Sequence, residues 1–369
     1  MKAYLEGTSP KLFRGTNKSL WRFWEHGVTS SFLGLYLQCK EQTRLHYCEG
    51  WSSRMTPIYF EFGTCCHWVL EMAYKRPMDA NAYAKKGAWR PDIKWIKLKL
   101  KEYKAMWLAS VPRPTERQLE TMEEVYGLAL VVLPSYFERW SGDFTGKYNY
   151  EDGRRVASPH RWHSLENVFC IPYTYPDGKK TFIRGRRDGV FWDAKKQLWV
   201  FDTKCRSRDN DQTALDTLAS DLQQNLYLWV TWKETGKVPA GTIMNIIKRP
   251  TNYRRVDETL AAYLDRVRVL YEKKESYDIS LKRYEFCILK SDLLQWQSKI
   301  LDPIMMDVRL WWEGKTPHYQ NPHGLETKYG KCEMFAPLTR GDFTLCYRRP
   351  YAFNELGEAG DAAKSKKGK

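Results

Sequence analysis

The sequence RGRRDGVFW at residues 184–192 is followed by LWVFDTK at residues 198–204. Both runs are apolar and rich in aromatic residues, and the short polar segment DAKKQ at residues 193–197 separates them. This pattern predicts two consecutive β-strands joined by a turn. The strands also carry charged residues where a core strand would not, so they are the first place to look for a function.

Three charged residues of this strand pair are predicted to converge. Side chains alternate between the two faces of a strand, so Asp202 and Lys204 share one face while Thr203 points to the other. If the strands pair across the turn, Asp188 near the start of the first lies close to Asp202 near the end of the second. Carboxylate oxygens are the ligands that Mg²⁺ prefers, and a nearby lysine can hold the attacking water or neutralise charge on a phosphate. The trio therefore indicates metal-assisted phosphodiester hydrolysis, although a surface hairpin with an ordinary Asp–Lys pair fits the bare pattern too.

A helix is predicted directly after the second strand. Between Gln212 and Trp232 the apolar residues recur at helical spacing; they are Leu215, Leu218, Leu222, Leu226 and Trp229. Gln223 and Tyr227 stand four residues apart, so they share a helix face beside this apolar stripe.

The order of these motifs is similar to that of a known family. Gly-x-x-Asp at 185–188, Asp-x-Lys at 202–204 and Gln-x-x-x-Tyr at 223–227 resemble the PD-(D/E)XK nuclease superfamily, in particular its RecB-like exonuclease branch. The resemblance implies an α/β, restriction-endonuclease-like core with a mixed central sheet flanked by helices, and with N- and C-terminal helical extensions.

The resemblance also implies a set of metal ligands for Mg²⁺ or Mn²⁺. Asp188 and Asp202 would hold the ion, with the Thr203 carbonyl, Glu166 and His67 as further ligands. His67 follows a glycine by four residues at the head of an apolar helix, as in the first motif of this branch, and Glu166 matches the glutamate that precedes the Asp188 strand. Taken alone, His67 also fits a buried histidine whose hydrogen bonds are made within the core. Glu166 taken alone also fits an exposed acidic residue at the end of a strand.

The remaining predicted site residues act on water and DNA. Lys204 would orient the water and stabilise the pentacoordinate phosphate, and Gln223 and Tyr227 would position the lysine or the scissile strand. The predicted phosphate contacts are Arg186, Arg187, Lys248 and Arg249.

Composition and charge agree with a DNA partner. The 369-residue chain has a formal net charge of +16 and 43% hydrophobic residues, so it is expected to fold and to attract a polyanion. A basic protein with a merely solvated surface is the alternative. The N-terminus lacks the apolar segment of a signal peptide, and no apolar run approaches the ~20 residues of a membrane span. We therefore expect a cytoplasmic protein that does not enter a membrane.

The cysteines predict reduced thiols and no iron–sulfur cluster. Nine cysteines are scattered without a disulfide framework. Many proteins of the resembling branch hold a cluster with one N-terminal cysteine and three closely spaced C-terminal ones, because such clusters need four thiolates. Cys39 and Cys332 stand at matching positions, but the other two cysteines are missing from 325–338. A noncanonical site that uses Cys346 is the alternative.

Other segments are predicted from periodicity. Helices are expected over Ser31–Trp51, from Thr115 with a capping box to a kink or stop at Pro134, around Leu260–Leu270, and over Leu289–Trp312. Asp92–Trp107 reads as a helix or an edge strand, and Gly241–Pro250 as an apolar strand. We expect an N-terminal helical part at 1–145, the catalytic core at 146–255, a C-terminal helical part at 256–350 and a disordered basic tail at 351–369.

Two function classes follow from these observations. The first is a metal-dependent deoxyribonuclease, an exonuclease of phage or bacterial recombination, replication or repair, with a recombination or helicase protein as a possible partner. The second is a nuclease-like module that binds DNA without cutting it. An enzyme that acts on RNA is compatible with the metal site and the charge.

Overall fold

The computed structural model describes most of the chain, apart from its two ends and several internal segments. The described residues are 20–53, 58–80, 89–111, 113–145, 149–151, 153–206, 220–251, 253–272, 280–316, 321, 326–327, 330–331, 334–344 and 346–348. Two compact units result: the first combines 1–55, 168–186 and 290–369, and the second combines 56–167 and 187–289. The expected basic tail at 351–369 lies outside the described residues.

A five-stranded mixed sheet is the central element of the fold. Its strands, in chain order, are β1 (Arg161–Thr174), β2 (Lys180–Trp192), β3 (Leu198–Arg206), β4 (Gly241–Lys248) and β5 (Leu281–Cys287). They are arranged in the order β1-β2-β3-β4-β5. The β2–β3 and β4–β5 pairs are antiparallel and the β3–β4 pair is parallel. The predicted fold class, α/β with a mixed sheet between helices, is confirmed.

Five long helices accompany the sheet: α1 (Ile58–Ala80), α2 (Ile93–Ser110), α3 (Glu116–Arg139), α4 (Leu222–Thr235) and α5 (Leu260–Glu272). Helix α3 packs against α1, α2 and α5, and α1 also packs on β3. The largest described apolar core lies between helices α1, α2, α3 and α5 and one face of the sheet. Phe191, Phe201 and Ile243 of the sheet are fully or almost fully buried there. Since strand side chains alternate, Asp202 faces away from this core.

Local sequence signals set the limits of two of these helices. Asp92 caps α2, because its side chain accepts a hydrogen bond of 2.7 Å from the Trp95 N–H, and the 92–107 segment is therefore a helix and not an edge strand. Thr115 and Gln118 form the predicted capping box of α3. Pro134, however, does not end α3, which continues to Arg139.

The burial of the side chains around Pro134 explains why α3 tolerates the proline. An interior proline removes one backbone hydrogen bond and costs about 3 kcal/mol in an isolated helix. Leu133, Tyr136 and Phe137 around Pro134 are at most 1% exposed. Their packing offsets the lost bond, which periodicity alone does not reveal.

The first predicted helix is wrong as a single element. The structure instead has helices Ser30–Gln38 and Lys40–Thr43, the π-helical turn Arg44–Cys48 and the short strand Trp51–Ser53. Cys39 breaks the helix because its backbone is extended, with φ −161°, and its sulfur accepts a hydrogen bond from the Gln42 N–H. A polar cap, and not the apolar pattern, sets this boundary.

The first unit has its own aromatic core. Trp21 stacks on Phe32 with ring centroids 4.4 Å apart, and Trp311 meets the edge of Tyr36 at 5.3 Å. Its other elements are the helices Phe23–His26, Lys290–Trp296, Asp302–Trp312 and Phe335–Arg340, the π-helical turn Gln297–Leu301, and the short strands Glu326–Thr327, Gly330–Lys331 and Cys346–Arg348. The second unit adds the helix Gly142–Thr145 and the strands Asn149–Glu151 and Arg154–Val156.

Close backbone packing in the sheet depends on one glycine. A Cβ atom at Gly241 would lie 1.9 Å from the carbonyl oxygen of Phe286 on β5. Any other residue would therefore push β5 away from the start of β4.

Within the described part of the chain, no helix combines the length and apolar character that a membrane crossing needs.

A buried ion pair links β5 to the helices. Arg283 on β5 and Asp143 are both fully buried, and the Arg283 Nη1 donates to Asp143 Oδ1 at 2.9 Å. Tyr74 from α1 donates to the other Asp143 oxygen at 2.7 Å, and Asn149 donates to Oδ1 at 2.6 Å. A buried charge needs such a full set of partners, because its desolvation is costly.

We expect Asp143→Asn to lower the free energy of unfolding by about 3–5 kcal/mol, because it leaves the Arg283 cation buried beside a neutral partner. Urea unfolding measures the change. The control is Asp265→Asn, which breaks an exposed pair with Arg268 and should cost at most about 1 kcal/mol. Equal, small effects of the two substitutions would contradict the role given to the buried pair.

Candidate active site

The register of β2 and β3 brings the predicted acidic residues together. Gly189 lies opposite Phe201 in the antiparallel pair, so Asp188 and Asp202 occupy the next position of the two strands. Asp188 Oδ2 accepts a hydrogen bond of 2.6 Å from the Thr203 N–H. Thr203 therefore enters the site through its backbone amide.

A chain of hydrogen bonds runs from Asp202 to helix α4. The Lys204 ammonium lies 2.9 Å from Asp202 Oδ2 and donates to Gln223 Oε1 at 2.7 Å. Gln223 in turn donates from Nε2 to the Tyr227 hydroxyl at 2.8 Å. Asp202 and Lys204 come from one strand face, and Gln223 and Tyr227 from one helix face, as the sequence predicted.

Asp202 is buried to 1% exposure and also bonds to a residue that sequence reasoning missed. The Gln224 side chain, itself buried, donates to Asp202 Oδ2 at 2.7 Å. Burial raises the pKa of the Asp202 carboxyl, the Lys204 charge opposes this rise, and the Asp188 charge adds to it. Gln224 directly follows a motif residue at the start of α4, and that position was the signal available in the sequence.

Lys204 is a cation in this site. Burial by itself lowers the pKa of Lys204, but the negative charges of Asp202 and Asp188 outweigh that effect and raise its pKa above the ordinary value. A lysine with a raised pKa is a charged hydrogen-bond donor near neutral pH, and is a poor proton acceptor.

His67, Glu166 and Asp188 form a group of potential metal ligands. One donor atom from each lies within 4.8 Å of the others, and His67 Nδ1 is 3.4 Å from Asp188 Oδ2. Two ligands that each lie about 2.1 Å from one Mg²⁺ are roughly 3 to 4 Å apart, so small side-chain rotations would suffice. The three side chains therefore fit a divalent cation, and Asp202, paired with Lys204, is not in this group.

Glu166 reaches this group from an irregular part of β1. Its φ of +45° lies in the left-handed region, which residues other than glycine rarely adopt. Exposed and buried residues alternate on both sides of this point, whereas 164–167 are all half-buried. β-Bulges interrupt strands in this way and re-aim a side chain, often beside an active site.

The predicted DNA contacts are placed differently from one another. Lys248 and Arg249 lie at the end of β4 and are half-buried, and Arg186 is exposed in the first unit. Arg187 is only 1% exposed; its guanidinium forms an ion pair with Glu234 and donates to Thr231 at 3.0 Å. The Arg187 charge is thus paired inside the second unit, and its contact with a DNA phosphate stays a prediction.

The other face of β3 is held by Asn245, whose contact with Thr203 the sequence did not predict. Asn245 on β4 donates to Thr203 Oγ1 at 3.1 Å and to the Tyr136 hydroxyl at 3.0 Å. Arg283 donates to the Asn245 carbonyl oxygen at 3.2 Å. The middle residue of Asp-x-Lys is thereby tied to the buried network around Asp143.

The cysteines named for a cluster occupy structural positions where they are described. Cys39 caps a short helix, and Cys346 packs with Leu45, Met334 and Leu338. Cys332 lies outside the described residues. The absence of an iron–sulfur cluster stays a prediction.

The chain was compared with known protein families and structures. A model of the PD-(D/E)XK nuclease superfamily matches residues 28–287, more than half of the chain. No curated protein matches the sequence. A solved structure described as "Crystal structure of SSO0001" is 13% identical and aligns over 68% of this chain and 89% of its own, with a TM-score of 0.25 that supports no argument about fold or function. On the family match, the chain belongs to the PD-(D/E)XK nuclease superfamily.

Proposed function

We propose that the protein is a divalent-metal-dependent deoxyribonuclease, and that it is an exonuclease of the RecB-like branch. The observation that carries the proposal is the Lys204–Gln223–Tyr227 hydrogen-bond chain beside two carboxylates. The motif order supports the RecB-like assignment, and with it a role in phage or bacterial recombination, replication or repair. The net charge of +16 supports DNA as the substrate.

The ligand set favours Mn²⁺ or Mg²⁺. His67, Glu166 and Asp188 would hold the ion, and Asp202 and the Thr203 carbonyl are the further ligands that we propose. Carboxylates suit Mg²⁺ and Mn²⁺, while an imidazole nitrogen suits transition metals, so the histidine shifts the preference toward Mn²⁺. When bound, the ion would acidify a water and neutralise charge on the phosphate.

Lys204 would act as a fixed positive charge. Its ammonium is held between Asp202 and Gln223, at 2.9 and 2.7 Å, so it is pre-oriented before substrate binds. Such a donor stabilises the negative charge that grows on the phosphate and holds the attacking water. Tyr227 supports this arrangement through Gln223, which makes Tyr227 a positioning residue.

The first experiment compares end-labelled linear single-stranded DNA, linear duplex and closed circular DNA, each in Mg²⁺, Mn²⁺ or EDTA. We expect metal-dependent loss of both linear substrates and none of the circle, because an exonuclease needs an end. Asp202→Ala should remove the activity, since it deletes the partner of Lys204. Salt-sensitive binding without cleavage under every condition would refute the enzyme and favour a DNA-binding module.

Lys204→Ala should reduce the cleavage rate by at least about 10²-fold, the scale of losing one preorganised charge at a transition state. DNA binding, measured by gel shift, should stay nearly unchanged. Lys195→Ala is the matched control, because Lys195 is exposed in the β2–β3 turn. Retained cleavage by Lys204→Ala would rule out the role given to this lysine.

His67→Ala should weaken Mn²⁺ binding at least about tenfold, because it removes one of three converging ligands. Isothermal titration of the protein with Mn²⁺ measures this directly, without DNA. The control is His160→Ala, whose imidazole is exposed and lies outside the ligand group. If both variants bind Mn²⁺ like the unmodified protein, the ion is held elsewhere.

A further inference from the structure

The loop between β4 and α5 presents apolar side chains to solvent. Tyr253 is 82% exposed and Val256 is 100% exposed. Both values are high compared with the other exposed large apolar residues of the described part of the chain, such as Tyr150 at 54%. Single exposed apolar residues need no explanation by themselves, so the surroundings of Tyr253 decide what this loop can do.

Hydrogen bonds hold the backbone of this loop at Tyr253 and at Arg255. Arg266 on α5 donates to the Tyr253 carbonyl oxygen at 3.1 Å and pairs with Glu258 at 2.7 Å. Glu258 also accepts a hydrogen bond of 3.0 Å from the Arg255 N–H. The hydrogen bond from Arg266 lowers the pKa of Glu258 to about 2, so the pair stays charged. Tyr253 is therefore held at a defined place.

This place adjoins the end of the catalytic strand. Arg206 lies opposite Lys248 in the β3–β4 register, and the Arg249 N–H donates to the Arg206 carbonyl oxygen at 2.6 Å. Lys204 precedes Arg206 by two residues, about 7 Å along a strand. The loop thus begins where β3 and β4 end, two residues beyond Lys204 along β3.

The surface around Tyr253 is positively charged. Arg254 and Arg255 follow it directly and are exposed. Burial raises the pKa of the half-buried Glu124 carboxyl of α3, and the charges of Arg254 and Arg249 oppose this rise. Asp257 and Glu258 oppose this charge, but Glu258 is already paired with Arg266.

We propose that Tyr253, with Arg254 and Arg255, is a stacking platform for unpaired bases of single-stranded DNA that leads to the Lys204 site. An aromatic face can stack only on bases that are not already stacked in a duplex, and arginines beside it neutralise the backbone. This combination favours a single strand over a blunt duplex. The inference rests on the proposed nuclease function for its direction, although base stacking itself does not require cleavage.

The test measures binding in the Lys204→Ala background, where the DNA stays intact. Fluorescence anisotropy with a labelled oligo(dT) should show that Tyr253→Ala raises the Kd by about 5-fold to 100-fold, the value of stacking on one base. Tyr253→Phe should stay within about twofold, because it keeps the ring. A blunt hairpin duplex should bind both variants equally.

The matched control is Tyr150→Ala, which removes another exposed tyrosine, 54% exposed on a short strand of the same unit. It should leave oligo(dT) binding unchanged. Arg254→Ala should lower the slope of log Kd for oligo(dT) against the logarithm of the salt concentration by about 0.7. This is the contribution of one phosphate contact on a single strand.

Two outcomes overturn the inference, and neither is the failure of the enzyme. Unchanged oligo(dT) binding by Tyr253→Ala would refute the platform. The exposed surface around Tyr253 would then be a candidate site for a protein partner instead. An equal loss on the blunt duplex would refute its single-strand preference. If the unmodified protein cleaves no DNA but Tyr253→Ala still weakens oligo(dT) binding, the platform stands and the proposed nuclease function fails.

Discussion

The arrangement of the site depends on one buried carboxylate, Asp202. A carboxylate without solvent is costly unless charges and hydrogen bonds compensate it. Lys204 and Gln224 supply these partners from β3 and from the first turn of α4. Asp221 caps α4 by accepting a hydrogen bond of 2.9 Å from the Gln224 N–H, and the first turn that it caps brings Gln224 to Asp202 and Gln223 to Lys204.

The opposite face of the same strand is also held by hydrogen bonds. Asp202 and Lys204 face α4, whereas Thr203 between them accepts a hydrogen bond from Asn245, which belongs to the network of Tyr136, Arg283 and Asp143. Asp-x-Lys is thus anchored on both sides, by charges on one face and by neutral hydrogen bonds on the other. A polar network of this kind specifies a single geometry only when all its members are satisfied.

The sequence predicted what local periodicity and motif spacing determine. Strand alternation foretold the common face of Asp202 and Lys204, and helical spacing foretold that of Gln223 and Tyr227, because both rules act within one element. It did not foretell Gln224, Asn245 or the burial of Arg187, since these depend on which elements meet in three dimensions. The single helix predicted over Ser31–Trp51 and the stop considered at Pro134 are absent for a related reason, because a cap at Cys39 and the tertiary packing of α3 override the local pattern.

Charge balance suggests how the two parts of the site work together. In the proposed site Glu166 and Asp188 would supply two carboxylates to one divalent ion, and the Asp202 carboxylate pairs with Lys204. A His67 imidazole bound to the proposed ion would be neutral and would leave this balance unchanged. The ion and the lysine can therefore both be held without leaving an unpaired charge in the site. If Asp202 also bound the ion, its ion pair with Lys204 would weaken. The negative charge of a substrate phosphate could then take the place of the Asp202 charge beside Lys204.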